Sequence, residues 1–171
     1  VLWRAARYAL RCELAEPTAV SRMSKRILIA DDEESVRSSL ASVLEMEGYE
    51  TLGARNGREV IAKLRREPCD LLLLDLSMPG LDGWRALDVI SKVLPLLPVI
   101  VITARPNQYQ RAVGAAVDAL MEKPLDIPVL LRAIADLLQA SEADRIARLI
   151  SSRFKTAHLS VGAPPVAGTP A

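Results

Sequence analysis

The chain repeats one pattern that leaves few folds open to it: short apolar runs, each ending at a polar residue, alternate with longer stretches of helical periodicity. Ile27-Leu28-Ile29-Ala30 ends at Asp31 and Asp32, Leu71-Leu72-Leu73-Leu74 at Asp75, Val99-Ile100-Val101-Ile102 at Thr103, and Ala119-Leu120-Met121-Glu122 at Lys123. Continuous apolar runs of this length read as strands buried on both faces, as in a parallel sheet between two helical layers. In an open sheet of that kind, ligands sit outside the carboxyl ends of the strands. Three carboxylates, one hydroxyl and one ammonium, spread over more than ninety residues, are therefore expected to meet in one crevice.

The predicted strands cover residues 26–30, 50–54, 70–74, 98–102 and 119–122. The first helix spans 34–47, with Val36, Leu40, Val43 and Leu44 on one face and Gly48 as its stop. Asn56 is placed to cap a second helix that carries Val60, Ile61 and Leu64 inward before Pro68. A turn-rich loop from Ser77 to Gly83 leads into a third helix at 84–93, and a short fourth is expected at 108–115. Asp126 caps the fifth, with Pro128 in its first turn and Val129, Leu130, Ile134, Leu137 and Leu138 as its apolar stripe. The result is five βα units with right-handed crossovers.

A chain of 171 residues has room for one domain with a sizeable core plus flanking segments. Half the residues are apolar but only six are aromatic, which suits a core of Leu, Ile, Val and Ala. The formal charge of +1 conceals an uneven distribution. Residues 26–140 hold 13 Lys and Arg against 17 Asp and Glu, while both flanks are basic. No dense basic stripe of a nucleic-acid binder is present in the middle of the chain. Cys12 and Cys69 have neither paired spacing nor a histidine cluster, so no disulfide framework or zinc site is expected and a reducing cytoplasm is the simplest location. The most apolar stretch, 94–104, is broken by Pro95 and Pro98 and is far shorter than the ~20 residues of a membrane helix. Arg4, Arg7 and Arg11 interrupt the N-terminal segment, leaving no signal-peptide core.

Residues 1–22 are expected to be a disordered extension or a mis-called translation start before Met23, with the second favoured. Residues 23–140 form the expected domain, and 141–171 a short helix followed by a Pro/Ala-rich tail unable to order itself.

Asp75 is the candidate nucleophile, because a carboxylate can accept a phosphoryl group as an acyl phosphate. Three carboxylates in one crevice repel one another unless a hard cation lies among them, and Mg²⁺ takes oxygen ligands while keeping several waters. Asp32 and Asp75 are the expected direct ligands, Asp31 binds directly or through water, and the Ser77 carbonyl completes the protein's share. Lys123 offers a compact positive charge and Thr103 a hydroxyl donor to the transferring oxygens. Taken singly, each residue has a plainer explanation: an acidic pair caps helices, Thr103 turns a loop, and Lys123 before Pro124 faces solvent. Their joint occurrence at successive strand ends favours the chemical reading.

Residues 24–139 resemble the receiver domain of bacterial two-component response regulators. The resemblance rests on 27–33, on Leu74-Asp75-Leu76-Ser77-Met78-Pro79-Gly80-Leu81-Asp82-Gly83, on Ile102-Thr103-Ala104 and on Glu122-Lys123-Pro124-Leu125. It implies a flavodoxin-like, doubly wound five-stranded parallel sheet in the order 2-1-3-4-5 with helices on both faces. It further implies Mg²⁺ on Asp31, Asp32 and Asp75, a phosphoryl group donated to Asp75 by a histidine kinase or phosphotransfer protein, switching through Thr103 and Lys123, and a cis Lys123–Pro124 bond. Receivers usually carry an aromatic three residues before the lysine; here that position is Leu120. The phospho-dependent signal at Leu120 is accordingly expected to be small, with output carried by the loop after Thr103 and the fourth and fifth helices.

A stand-alone receiver that signals to a downstream protein is the leading reading. The alternative is an aspartyl-phosphate phosphatase or phosphotransferase, which needs a second acid where Ser77 stands. A DNA-binding output is not expected, since the 31 residues after Ala140 hold no helix-turn-helix pattern. Trp84 is expected to pack in the core, His158 to lie in the tail without a phosphotransfer or metal role, and Arg145, Arg148, Arg153 and Lys155 to form the wet face of the last helix.

Overall fold

The computed structural model describes residues 24–78, 83–104, 108–115, 117–150 and 156–159. Five strands form as the apolar runs demand: β1 (Arg26–Ala30), β2 (Glu50–Ala54), β3 (Leu71–Asp75), β4 (Val99–Thr103) and β5 (Ala119–Glu122). The helices are α1 (Glu34–Met46), α2 (Gly57–Arg66), α3 (Gly83–Val93), α4 (Tyr109–Gly114), α5 (Ile127–Gln139) and α6 (Glu142–Ile150). A further strand, β6 (Ala157–Leu159), lies between the predicted last helix and the Pro/Ala-rich stretch at 163–171, where no strand is predicted. The sheet runs β2-β1-β3-β4-β5-β6, parallel throughout. The expected five-strand order is thus present with a sixth strand added at one edge.

Alternation along the strands sorts the core into two layers. Leu28, Leu72, Leu74, Val99, Val101 and Leu120 pack under α2, α3 and α4, together with Val60, Leu64, Trp84, Leu87, Ile90 and Ala112. Ile27, Ile29, Leu71, Leu73, Ile100 and Met121 face α1 and α5, against Leu40, Leu44, Leu130, Ile134 and Leu137. Both faces of β3 and β4 are buried, so neither strand shows polar alternation.

Local chemistry sets the helix ends. The Asn56 side chain accepts from the Glu59 amide at 3.0 Å to start α2, and Asp126 accepts from the Val129 amide at 3.1 Å to start α5. Gly48, at φ 86°, lets the chain leave α1 in the left-handed region. β3 and β4 end one residue later than expected, which makes Asp75 and Thr103 the last residues of their strands.

Gly83 is where α3 meets the sheet. A Cβ there would lie 2.7 Å from the Leu76 Cα and 2.8 Å from the Asp75 carbonyl oxygen, both of them backbone atoms next to the crevice. Gly83→Ala should therefore cost about 1–3 kcal/mol, the usual range for forced overpacking. Thermal unfolding would register this as a midpoint lowered by roughly 2–4 °C for each kcal/mol lost. An unchanged midpoint would contradict so close an approach.

Candidate functional site

The carboxyl ends of β1, β3, β4 and β5 bring the expected residues to one end of the sheet. Asp31 follows β1 directly, and its amide donates to the Ala54 carbonyl at 3.1 Å, extending the β1–β2 pairing by one residue. Its Oδ1 accepts from the Glu33 amide at 2.9 Å, and its carbonyl accepts from Arg37 Nη1 at 2.6 Å. Asp31 is therefore held at three points before any ligand is considered. Asp75 ends β3, where Leu71 to Leu74 are at most 1% exposed, and its Oδ1 accepts from the Ser77 amide at 2.7 Å.

Lys123 ties the two acids together. Its Nζ donates to Asp31 Oδ2 and to Asp75 Oδ2, each at 2.8 Å, from the first position after β5. Its amide donates to the Thr103 carbonyl at 2.8 Å, and a cis bond to Pro124 follows. Thr103 is fully buried at the end of β4, one residue beyond Ile102, the register partner of Asp75.

Asp31, Asp32 and Asp75 each present a carboxylate oxygen, and the three oxygens lie within 4.8 Å of one another. Asp31 and Asp75 are buried, whereas Asp32 is exposed at the mouth. Three carboxylates against the one Lys123 ammonium leave negative charge uncompensated. Burial, the largest influence on Asp31, pushes its pKa above the usual carboxylate value; the nearby Asp75 charge adds to this, and the hydrogen bonds and charge from Lys123 only partly offset it. For Lys123, burial acts to lower the pKa, but its bonds and charge contacts with Asp31 and Asp75 prevail and hold it above the ordinary lysine value. A hard divalent cation suits this all-oxygen cluster and would favour the ionised form of Asp31.

A parallel sheet with helices on both faces and an acidic crevice beyond its strand ends defines a flavodoxin-like α/β protein. The family model described as "Response regulator receiver domain" matches residues 27–135. The chain belongs to this family, the receiver domains of two-component response regulators.

It is 34% identical over 134 residues to the response regulator MprA of Mycobacterium tuberculosis (strain ATCC 25618 / H37Rv), covering 77% of this chain and 58% of that protein. To the alkaline phosphatase synthesis transcriptional regulatory protein PhoP of Bacillus subtilis (strain 168) it is 31% identical over 122 residues, covering 70% of this chain and 51% of the relative. The chain thus spans little more than half the length of these relatives. Among solved structures, a CheY-like receiver domain protein from Methanospirillum hungatei JF-1 is similar at TM-score 0.64 and 32% identity, covering 67% of this chain and 94% of that one. The response regulator TrrA of Thermotoga maritima, solved in complex with Mg²⁺-BeF, is similar at TM-score 0.62 and 33% identity, covering 66% and 98%.

Several surrounding residues differ from expectation. Arg145 is half-buried instead of lying on a wet face: its Nη2 donates to the Leu137 carbonyl at 3.2 Å, tying α6 to the end of α5. His158 sits in β6 as the register partner of Leu120, its ring 5.2 Å from that of Tyr109. No apolar run announces a strand as short as β6, so periodicity misses it. Trp84 packs in the core as expected, and the Arg111 guanidinium lies 4.5 Å above its ring. The half-buried Cys69 thiol donates to the Glu67 carbonyl at 3.8 Å. Residues 1–22, Cys12, the loop 79–82, positions 105–107, Arg153, Lys155 and the Pro/Ala stretch lie outside the described residues, as does the side chain of Arg148. Among the described residues, no helix is long and apolar enough to cross a membrane.

Proposed function

We propose that Asp75 accepts a phosphoryl group from a phosphohistidine of a histidine kinase or phosphotransfer protein, with Mg²⁺ held by Asp31, Asp32 and Asp75. The Ser77 carbonyl completes the protein's ligands. The observation that carries this reading is the Lys123 ammonium, which contacts both buried acids at 2.8 Å and supplies fixed positive charge beside the nucleophile. An Asp75 carboxylate oxygen forms a bond to phosphorus as the P–N bond of the donor breaks, and the departing imidazole nitrogen takes up a proton. When bound, Mg²⁺ neutralises charge on the phosphoryl oxygens. Lys123 supplies fixed positive charge to the same oxygens, while its bond to Asp31 keeps it aimed at the crevice. The buried Thr103 hydroxyl then becomes a donor to the new phosphoryl oxygens, and its displacement is the local event that biases the surface.

Residues 23–140 act as the phosphoacceptor unit in the cytoplasm. Output passes to a protein partner, and neither a separate enzymatic substrate nor DNA is engaged by this unit, whose charge balance is acidic. Incubation with acetyl phosphate and Mg²⁺ followed by intact mass measurement tests the reading. One added phosphoryl group, lost when EDTA is present, is the expected result; no mass gain with Mg²⁺ present would refute it.

Asp32 is the exposed member of the acidic cluster and makes a clean probe of the cation. Asp32→Ala removes a direct ligand and should weaken Mg²⁺ binding by at least the roughly 10–100-fold that follows loss of a mere outer-shell partner. Because Asp32 is exposed, the fold should keep its thermal midpoint. Equal Mg²⁺ affinity by titration would exclude Asp32 as a ligand.

A further inference from the structure

β6 covers the outer edge of β5, and the contacts that hold it there come from α4 as well as from the sheet. Ala157, His158 and Leu159 pair in parallel with Ala119, Leu120 and Met121. The Ala157 amide donates to the Asp118 carbonyl at 2.9 Å, and Asp118 Oδ2 in turn accepts from the Val99 amide at the start of β4. From above, the Tyr109 hydroxyl donates to the Thr156 carbonyl at 3.0 Å, and the Tyr109 ring meets the His158 ring at 5.2 Å. Tyr109 is the first residue of α4.

These groups stand on the same face of the sheet as Thr103. Val101 and Leu120 are register partners in the core layer under α2, α3 and α4; Thr103 lies two residues beyond Val101 on the same face, and His158 pairs with Leu120. A displacement of Thr103 toward a phosphoryl group on Asp75 acts first on the end of β5, where the amide of the next residue, Lys123, is bonded to the Thr103 carbonyl. It then acts on β6, whose His158 is the register partner of Leu120, and so on the α4–β6 contacts.

We infer that residues 156–159 are a detachable edge strand, latched to α4 by Tyr109, and that phosphorylation of Asp75 opens the latch and uncovers the edge of β5. This inference rests on the phosphoacceptor reading of the crevice. The Tyr109–Thr156 bond, at 3.0 Å, already lies at the long end of the range for a hydroxyl donor, so a small separation of α4 from β6 is enough to break it. Besides this bond, the three-residue strand is held by its ladder to β5 and by the packing of Ala157 and Leu159, and a short edge element of this kind opens before the core does. Once free, β5 presents the unpaired amides and carbonyls of a sheet edge.

Hydrogen exchange of the full chain, read by mass spectrometry, tests this. In the resting protein, Tyr109→Phe removes one hydrogen bond and leaves the ring, and it should speed exchange at 157–159 by about fivefold, the factor carried by one bond of ordinary net strength. In the wild type, beryllofluoride with Mg²⁺ should speed exchange over the same residues, while Asp75→Asn shows no response. Binding of beryllofluoride, read independently by its fluorine resonance, with exchange at 157–159 unchanged would overturn the coupling and leave the phosphoacceptor reading intact. Unaltered exchange in Tyr109→Phe would overturn the latch itself. Failure of the wild type to bind beryllofluoride or take up phosphate would overturn the phosphoacceptor reading, and the coupling with it.

Discussion

Asp75→Asn should abolish phosphoryl uptake while leaving the fold in place. The carboxamide keeps the size of the side chain and an oxygen to accept the 2.7 Å bond from the Ser77 amide, but it loses the charge and nucleophilicity on which transfer depends. It also removes one of the two acids that contact Lys123 at 2.8 Å. Since Lys123 retains Asp31, and the local charge becomes less negative, thermal stability without Mg²⁺ should hold or rise. Intact mass after treatment with acetyl phosphate and Mg²⁺ is the check. A phosphoryl group gained by Asp75→Asn at the wild-type rate would remove Asp75 from the mechanism.

Lys123→Met should slow transfer by about 10²–10³-fold, the range seen when one fixed electrostatic donor is taken from a developing anion. Methionine keeps an unbranched apolar stem of similar length in the half-buried position, so the substitution deletes chiefly the charge. Two effects then separate. Asp31 and Asp75 lose their only cationic partner among the described residues, so the cluster becomes more negative and Mg²⁺ should bind at least as tightly as before. The transferring oxygens lose a donor, so the rate falls even with saturating Mg²⁺. Rate and affinity moving in opposite directions is the signature of the assigned role. A parallel loss of both would instead make Lys123 a structural support of the cluster.

The core and most of the site were legible in the sequence for one physical reason. Strands buried on both faces must be apolar throughout, so the first polar residue after each run marks the point where the chain leaves the core. Asp31, Asp75 and Thr103 follow this rule, although β3 and β4 carry their polar residue as the final strand position, whereas in β5 Glu122 comes first and Lys123 stands one residue beyond it. The helix caps at Asn56 and Asp126 were equally plain, because a side-chain acceptor three residues before its amide partner is a local arrangement.

What the sequence hid depends on long-range contacts. The constraint at Gly83 comes from the backbone of Leu76 and Asp75, which no local pattern encodes. Arg145 resembles a solvated helix residue until α6 is placed against the end of α5. The strand at Ala157–Leu159 is recognisable only once β5 offers an edge and Tyr109 stands over it. Leu120, which stands where receivers usually carry an aromatic ring, is fully buried and is the register partner of His158, whose ring meets that of Tyr109.

The most direct test of the central claim is to find which atom carries the phosphoryl group. An acyl phosphate is reduced by borohydride to an alcohol, so treating the phosphorylated full chain with borohydride and mapping its peptides marks the acceptor. Conversion of Asp75 alone to homoserine is the predicted result. Reduction at Asp31 or Asp32, or a borohydride-resistant phosphate on Ser77 or Thr103, would contradict the assignment of Asp75 as the phosphoryl acceptor.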